Sequence, residues 1–259
     1  NLTTFQLDAS ISTPGLPEDI VLQNGVFYVS ITMNMDWSDG NLVLAIDPET
    51  DSIIDSFEVG FGPGELLVHE DEIYISRTYY DSDWNAYYGT SKIKTNGEVV
   101  IVDYGAGAVC GGGIYSYQND VYRIYDGGIA KLDNDMQILP ETRIGDYNWW
   151  EVYSAEVIGD NVYFGLSDYI EPDDVAVVNS DGSEIARYQV GSLPGDFAIW
   201  EGCAPDGDVN SDSILNILDI IQIVDNIIID ADFDCHADIN EDLHINILDV
   251  VILVDLILN

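Results

Sequence analysis

The chain has 259 residues, of which 48 are acidic and seven are basic, so its formal net charge is −41. That length accommodates one domain of about 200 residues and a small second module. So few Lys and Arg residues cannot neutralise a phosphate backbone, which excludes nucleic acid as a partner. The acidity favours cations and solubility at high salt. No run of eighteen uncharged apolar residues occurs, so we expect no membrane span.

The first residues form a glycosylation sequon, Asn1-Leu-Thr3. The sequence shows no signal peptide, and we expect the chain to be a processed, exported form. We therefore expect a secreted or cell-surface location.

Residues 1–201 carry a repeat that predicts an all-β domain. A tyrosine follows an apolar residue after a polar turn at Tyr28, Tyr74, Tyr122 and Tyr163. Intervals near 45 residues, with several short strands in each, are typical of a β-propeller. We expect four strands in each unit, with turns rich in Asp, Asn or Gly before the fourth strand at residues 47–52, 95–98, 133–135 and 179–182. Four units fit between about residues 17 and 195, which leaves one strand at each end, Thr3 to Ala9 and Asp196 to Trp200. These two could pair as a short fifth blade, or one could pair with another molecule. A β-sandwich is the alternative fold.

The junctions between the units also match each other. Residues 57–67 and 188–198 share Val-Gly followed by Pro-Gly and an acidic residue, and Leu16-Pro-Glu-Asp-Ile is a fainter copy. This region resembles the propeller family with degenerate Tyr-Val-Thr-Asn-type repeats. The resemblance implies a propeller-like domain of four to five blades.

Aromatic residues cluster in the loops that should emerge at one end of such a domain. They lie among Asp and Glu residues and include Trp37, Trp84, Trp149 and Trp150. An aromatic face of this kind can stack on sugar rings, hold cations or form a protein interface. Alternatively, these side chains fold back and cover the ends of the strands.

Residues for catalysis are scarce. His69, His236 and His244 are the three histidines, and no Ser-His-Asp order, nucleophile elbow, phosphate loop or Cys-His zinc spacing can be assembled. Carboxylates are so abundant that a glycosidase pair can be neither found nor excluded. We lean toward a non-catalytic protein and leave the question open.

One pattern occurs twice in the last fifty residues. Oxygen-bearing side chains stand at positions 1, 3, 5, 9 and 12 of two twelve-residue loops, and position 7 offers a backbone carbonyl. A set of this kind predicts two Ca²⁺ sites, although Asp- and Asn-rich turns that cap helices without metal are an alternative. The expected ligands are Asp208, Asn210, Asp212, Ile214, Asn216 and Asp219 in the first loop, and Asp238, Asn240, Asp242, His244, Asn246 and Asp249 in the second.

This segment, from about residue 203 to 259, resembles a type I dockerin, in which Asp stands at position 12 where an EF-hand has Glu. The resemblance implies a small all-α, calcium-binding module of two loop–helix repeats. It also implies that positions 10 and 11 contact a cohesin-like partner; here they are Ile217-Leu218 and Ile247-Leu248. Position 6, usually Gly, is Ser213 in the first loop and Leu243 in the second. We expect the second calcium site to be the weaker one for this reason.

The helices that follow the loops, over 217–228 and 247–258, are apolar on more than one face. On so small a module, surplus apolar surface usually marks a contact site. Alternatively, the helices pack only on each other and on the neighbouring domain. Cys203 and Cys235 precede the two loops, and the paired arrangement of the loops could join them in a disulfide; two buried thiols are the alternative.

We therefore expect two domains, 1–201 and 202–259. The function that we expect is calcium-dependent docking of a propeller-like domain into a larger extracellular assembly, in which the partner is a cohesin-like domain or another copy of the chain, giving a filament. A carbohydrate-binding or polysaccharide-degrading propeller carried by a dockerin is the alternative.

Overall fold

The computed structural model describes residues 7, 9–107, 112–170, 172–198, 205–212, 214–229, 233–240, 242 and 244–258. The chain divides into two units, Asn1–Phe197 and Ala198–Asn259. The described strands lie in the first unit and the described α-helices lie in the second. The predicted boundary, between residues 201 and 202, falls within a stretch that is not described.

In the described part of the first unit, fifteen strands form four antiparallel sheets, and strands that are consecutive in sequence are neighbours in their sheet. Sheet 1 contains β1 (Gly15–Gln23), β2 (Val26–Asn34), β3 (Asp39–Asp47) and β4 (Ser52–Glu58). Sheet 2 contains β5 (Pro63–His69), β6 (Glu72–Tyr80), β7 (Ala86–Ile93) and β8 (Val99–Ala106). Sheet 3 contains β9 (Ile114–Tyr117), β10 (Asp120–Tyr125) and β11 (Gly128–Lys131). Sheet 4 contains β12 (Val152–Ile158), β13 (Asn161–Leu166), β14 (Asp173–Val178) and β15 (Glu184–Val190).

The expectation of a mainly β domain is confirmed. Four separate sheets are not the two packed sheets of a sandwich. The sheets do not form a closed propeller among the described residues, so the propeller and its number of blades stay predictions.

The tyrosine repeat corresponds to the sheets. Each of the four tyrosines lies in the second strand of a sheet and faces the first strand at the same register, in the pairs Tyr28 and Val21, Tyr74 and Leu67, Tyr122 and Tyr115, and Tyr163 and Glu156. The period near 45 residues is therefore the spacing from one sheet to the next.

Tight turns join the first two strands of sheets 1 and 2. The central residues have positive φ at Asn24 (50°) and Gly25 (80°) in the first turn, and at Glu70 (49°) and Asp71 (63°) in the second. Two-residue hairpins favour this backbone because its twist matches that of the strands. The predicted turns near 47–52, 95–98 and 179–182 join the third and fourth strands of sheets 1, 2 and 4.

Sheet 3 departs from the predicted four strands. The turn predicted at Asp133 follows β11, but two isolated bridges, Leu132 with Ile138 and Ile129 with Ile144, stand in place of a fourth strand. A short 3₁₀ helix follows at Pro140–Thr142. Proline cannot donate to a ladder of hydrogen bonds, which is consistent with the loss of strand structure here.

The two strands predicted at the ends of the domain are not seen. Residues 1–6 and 8 lie outside the described residues, and residues 7 and 9 are not in a strand. The prediction of a strand over Asp196 to Trp200 is wrong for 196–198. The chain just before this segment is held by side chains of sheet 4: Leu193 N–H donates to Asp173 Oδ2 at 2.6 Å, and Ser154 Oγ donates to the Pro194 carbonyl.

Apolar side chains pack between the faces of neighbouring sheets. One cluster joins sheets 1 and 2 and includes Val43, Leu66 and Ile75; another joins sheets 3 and 4 and includes Tyr117 and Phe164. The last strands of sheets 1 and 4, in contrast, are largely exposed. The core therefore lies between the sheets.

The second unit contains α1 (Ile217–Ile229) and α2 (Ile247–Leu258), as predicted. Their contact buries Ile223 and Leu253, which stand at the same position of the two repeats, and the cluster also contains Val209, Ala237 and Val250. Neither of these helices is long and apolar enough to cross a membrane.

Candidate metal-binding loops and docking surface

The aspartate at position 12 of each loop is the most buried acidic side chain of the second unit. Asp219 and Asp249 are both 0% exposed. Asp219 Oδ1 accepts the Asn210 N–H at 3.3 Å and Oδ2 accepts the Asn216 N–H at 2.9 Å. Asp249 accepts the equivalent pair at 3.3 and 2.8 Å. Each carboxylate therefore ties positions 3 and 9 of its loop to the start of the helix.

The first half of each loop is also the same in both copies. The Asp212 N–H donates to Asp208 Oδ1 at 3.1 Å and to Asn210 Oδ1 at 2.9 Å. The Asp242 N–H makes the same two contacts, with Asp238 Oδ1 at 3.1 Å and the position 3 amide oxygen at 3.0 Å. Side-chain oxygens of positions 1 and 3 thus both accept the backbone N–H of position 5 in each loop.

Position 9 shapes the second half. Asn216 Nδ2 donates to the Ile214 carbonyl at 2.8 Å, and its Oδ1 accepts the Leu218 N–H at 2.8 Å. Asn246 repeats the first contact with the His244 carbonyl at 3.1 Å. The predicted ligand positions of both copies therefore lie in one hydrogen-bonded loop geometry. Ser213 and Leu243, at position 6, lie outside the described residues.

The donor chemistry of these loops fits a hard cation. Each loop offers oxygens from three carboxylates, two amides and one carbonyl, and Ca²⁺ takes six to eight oxygen ligands. No Lys or Arg occurs in residues 198–259 to balance the buried carboxylates. Among the described residues, however, no three Asp, Glu, His or Cys side chains gather as a metal-binding group. Calcium binding stays a prediction.

The predicted partner-binding residues are exposed to the same extent in both copies. Ile217 and Ile247 are 62% and 64% exposed, and Leu218 and Leu248 are 56% and 55% exposed. They lie in the first turn of α1 and α2. These four apolar side chains, which we call the docking pairs, do not contribute to the core of the second unit.

The cysteine between the helices is in a disulfide bond. Cys235 is disulfide-bonded, which excludes a free thiol at this position. Cys203, its predicted partner, lies outside the described residues, so the pairing stays a prediction.

The tryptophans predicted to form an aromatic face are exposed. Trp37 is 75% exposed and Trp84 is 82% exposed, whereas Trp149 and Trp150 are 50% and 42% exposed. The first two do not fold back over the strand ends, as the alternative required.

Trp37 and Trp84 occupy matching turns between the second and third strands of sheets 1 and 2. The Trp37 N–H donates to the Asn34 carbonyl and the Trp84 N–H donates to the Asp81 carbonyl, each at 3.0 Å. Their φ angles are 69° and 63°. A bulky residue in this left-handed region is strained by about 1 kcal/mol. Strain of this kind tends to persist where the side chain has a role in function.

A cavity that the sequence analysis did not single out lies among the first strands of the four sheets. Its volume is about 570 Å³, and strands β1, β5, β9 and β12 line it. We call it the acidic cavity; its polar wall consists mainly of Glu18, Asp19, Glu65, Tyr115, Glu156 and Asp196. The junction motifs, each with an acidic residue after proline, were the signal that could have predicted it.

Comparison with known proteins yields only distant likeness. No family profile matches the sequence, and no curated protein matches it. Among solved structures, hydrazine synthase of Kuenenia stuttgartiensis is 16% identical with a TM-score of 0.49, covering 72% of this chain and 52% of that one.

Two further structures resemble the chain less well. The dihydro-heme d1 dehydrogenase NirN in complex with DHE is 10% identical, with a TM-score of 0.43 over 70% of this chain and 39% of that one. KlHsv2 with loop 6CD replaced by a Gly-Ser linker is 13% identical, with a TM-score of 0.42 over 68% and 54%. The chain therefore spans about half the length of these proteins or less, and no function follows from such likeness.

Proposed function

We propose that this chain is a non-catalytic extracellular or cell-surface protein whose residues 202–259 form a calcium-stabilised, dockerin-like module. The module attaches a β-propeller-like domain to a larger assembly. The observation that carries the proposal is the duplicated loop and helix, with the same exposed Ile-Leu pair at the start of each helix.

The docking pairs support a contact surface because they have no role in folding the unit. The interior is already filled by Ile223, Leu253 and their neighbours. Keeping four large apolar side chains more than half exposed is unfavourable in water, since each would gain from burial. Surplus apolar surface on a small module usually marks a protein contact.

The calcium part of the proposal rests on charge. Residues 202–259 contain many carboxylates and no Lys or Arg, so they repel one another without a counter-ion. A bound cation would stabilise the folded loops over the unfolded chain, which couples binding to folding.

The extracellular location is supported by the disulfide at Cys235. Disulfides persist in oxidising compartments and are rare in the cytosol. The strongly acidic surface suits a medium rich in salt or divalent cations.

The direct test is binding of the full chain to a panel of type I cohesin domains, measured by interferometry in calcium and in a chelator. We expect the chain to bind a cohesin domain in calcium and not in the chelator. Replacing both docking pairs by aspartate (Ile217→Asp, Leu218→Asp, Ile247→Asp, Leu248→Asp) should abolish it. Ile54→Asp is the matched control, because Ile54 is 56% exposed in the first unit.

Light scattering of the same samples separates the two kinds of partner. Calcium-dependent growth in mass that the aspartate variant lacks would indicate another copy of this chain as the partner. A cohesin complex with a monomeric free chain would indicate a cohesin-like partner. If the aspartate variant binds or associates as the unchanged chain does, docking through these pairs is wrong.

A second candidate function is binding of a glycan by the tryptophan-bearing turns. The exposed, strained Trp37 and Trp84 favour it. A glycan array decides between a sugar ligand and a purely proteinaceous interface.

A further inference from the structure

Five turns in the described part of the first unit share one pattern of hydrogen bonds. In each, the N–H of the first residue donates to the carbonyl of the fifth, and the N–H of the fourth donates to the carbonyl of the first, at 2.8–3.1 Å. The fourth residue has a left-handed backbone, with φ between 58° and 84°. Glycine is favoured at this position, because it takes positive φ without strain. The residues found there are Trp37, Trp84, Gly97, Met136 and Gly182.

The three large residues at this position differ in their surroundings. Met136 is buried, so the burial of its side chain offsets the strain of its backbone. Trp37 and Trp84 are largely exposed and gain no such burial. The turns at Gly97 and Gly182 form the same hydrogen bonds with no side chain at this position. Folding therefore gives no reason for tryptophan in the other two turns, which points to a partner outside the chain.

The two tryptophan turns are connected to each other. Asp39, two residues after Trp37, accepts the N–H of Tyr80 through its Oδ2 atom at 3.2 Å. The centroid of the Tyr80 ring lies 6.2 Å from that of the Trp84 ring. This hydrogen bond thus joins the end of sheet 1 that carries Trp37 to the end of sheet 2 that carries Trp84. We call Trp37, Tyr80 and Trp84 the aromatic patch; all three side chains are exposed.

The aromatic patch is negatively charged at its edges. Four carboxylates lie within three residues of its members: Asp36, Asp39, Asp81 and Asp83. None of the ion pairs among the described residues involves them. Hydrogen bonds from Ser38 hold the pKa of Asp36 below its ordinary value, and hydrogen bonds from Asn85 do the same for the pKa of Asp81. These two carboxylates therefore stay charged at neutral pH.

Charge and chemistry select the kind of partner. The patch repels polyanions, such as an acidic polysaccharide, an anionic bilayer or a second copy of a chain with a net charge of −41. A neutral sugar is not repelled. Its hydroxyl groups donate to carboxylates, and its C–H faces pack on aromatic rings.

We propose that the aromatic patch binds a neutral polysaccharide, with one sugar ring on each tryptophan. This inference rests on the second candidate function above and specifies its ligand. Matching turns on neighbouring sheets favour a chain of sugars over a single sugar. A chain contacts both turns at once, and its second contact is then intramolecular.

The test is affinity electrophoresis of the full chain in calcium, through native gels that contain laminarin, xyloglucan or mannan. We expect at least one of these neutral glycans to retard the chain, and dextran sulfate, an acidic glycan, not to retard it. Trp37→Gly and Trp84→Gly should each raise the dissociation constant about tenfold, and the double variant should not be retarded. Because glycine suits this turn, the variants should fold and melt at the temperature of the unchanged chain or above it.

Leu193→Gly is the matched control. Leu193 has a φ of 56° and is 43% exposed, and it follows β15 of sheet 4, outside the aromatic patch. This change also replaces a large exposed side chain on a left-handed backbone by glycine, and it should leave retardation unchanged. Weaker retardation of Trp37→Gly and Trp84→Gly, but not of Leu193→Gly, supports the proposal.

Four results would overturn it. One is that none of the three neutral glycans retards the chain, and another is that Leu193→Gly weakens retardation as much as Trp84→Gly does. Tryptophan-dependent binding of dextran sulfate alone would keep a glycan as the ligand but contradict a neutral one. Tryptophan-dependent sedimentation with phosphatidylcholine vesicles, without retardation by a glycan, would make the patch a membrane contact. Docking of the second unit is measured separately with cohesin domains, so its failure would not change any of these results.

Discussion

The Asp19 carboxylate accepts the backbone N–H of Leu66 at 2.7 Å and thereby connects the first strands of sheets 1 and 2. Glu65 makes the next contact of this kind, with the Ile114 N–H of sheet 3 at 3.4 Å. The two acidic residues stand at the same place in their repeats, since the N–H of each donates to a serine of the neighbouring strand, Ser30 or Ser76, at 3.1 Å. Acidic residues at the junctions therefore join consecutive sheets.

The first prediction concerns this contact. Asp19→Ala leaves the N–H of the buried Leu66 without its acceptor, which should lower the free energy of unfolding by about 1–3 kcal/mol. Asp19→Asn keeps an oxygen acceptor and should cost less. Urea unfolding measures both, with Asp55→Ala as control, because its carboxylate is exposed and accepts the N–H of the next residue, Ser56. Equal stability of Asp19→Ala and the control would contradict the prediction.

The second prediction concerns pH. The pKa of Glu65 rises from 4.5 to about 8 on folding. Between these two pH values the unfolded chain has lost the Glu65 proton while the folded chain keeps it. The contribution of Glu65 to the free energy of unfolding therefore falls as pH rises from about 4.5 to about 8, and it stays constant above pH 8. Glu65→Gln should remove that dependence, so the variant should gain stability relative to the unchanged chain between pH 5 and pH 8.

Urea unfolding at these two pH values, in a buffer free of amines, measures the effect. Glu58→Gln provides the comparison for the loss of one carboxylate. A gap between Glu65→Gln and the unchanged chain that stays constant with pH would mean that Glu65 titrates normally.

The third prediction concerns the calcium loops. Asp219 and Asp249 each bind two loop N–H groups and are fully buried. If the loops hold two ions, Asp219→Ala and Asp249→Ala should each reduce the calcium content from two ions to one. Asp225→Ala is the control, since Asp225 is exposed on α1. Calorimetry or metal analysis that finds two ions in either loop variant would refute the assignment.

The fourth prediction separates strain from packing at Trp84. Glycine accepts the φ of 63° without strain, so Trp84→Gly should change the free energy of unfolding by less than about 1 kcal/mol. The same change should reduce binding of any glycan found on an array. A larger loss of stability would show that the contact of Trp84 with the Tyr80 ring, 6.2 Å between centroids, supports the fold.

Much of this architecture could be predicted from the sequence. The tyrosine period predicted the sheets because each sheet repeats the same local alternation and turns, and such patterns are encoded within a few residues. The duplicated loops predicted both helices, because the aspartate at position 12 bonds to residues three and nine positions before it. These features depend on contacts that are short in sequence.

A strand was expected over Asp196 to Trp200 because of its apolar pattern. That local pattern contains no information about Ser154 and Asp173, which are distant in sequence and hydrogen-bond to Pro194 and Leu193, just before the segment. The left-handed backbone of Trp37 and Trp84 is likewise set by the turn that closes around them.

The junction motifs repeat an acidic residue after proline, but only the tertiary structure brings these residues together in the acidic cavity. Glu18, Glu65, Glu156 and Asp196 are dozens of residues apart in sequence, and each by itself reads as one more charge in a chain that has 48 acidic residues. They meet because the first strand of each sheet lines the same space. Burial there raises the pKa of Glu65. Sequence determines which residues carry charge, but only packing determines which of those charges water can no longer screen.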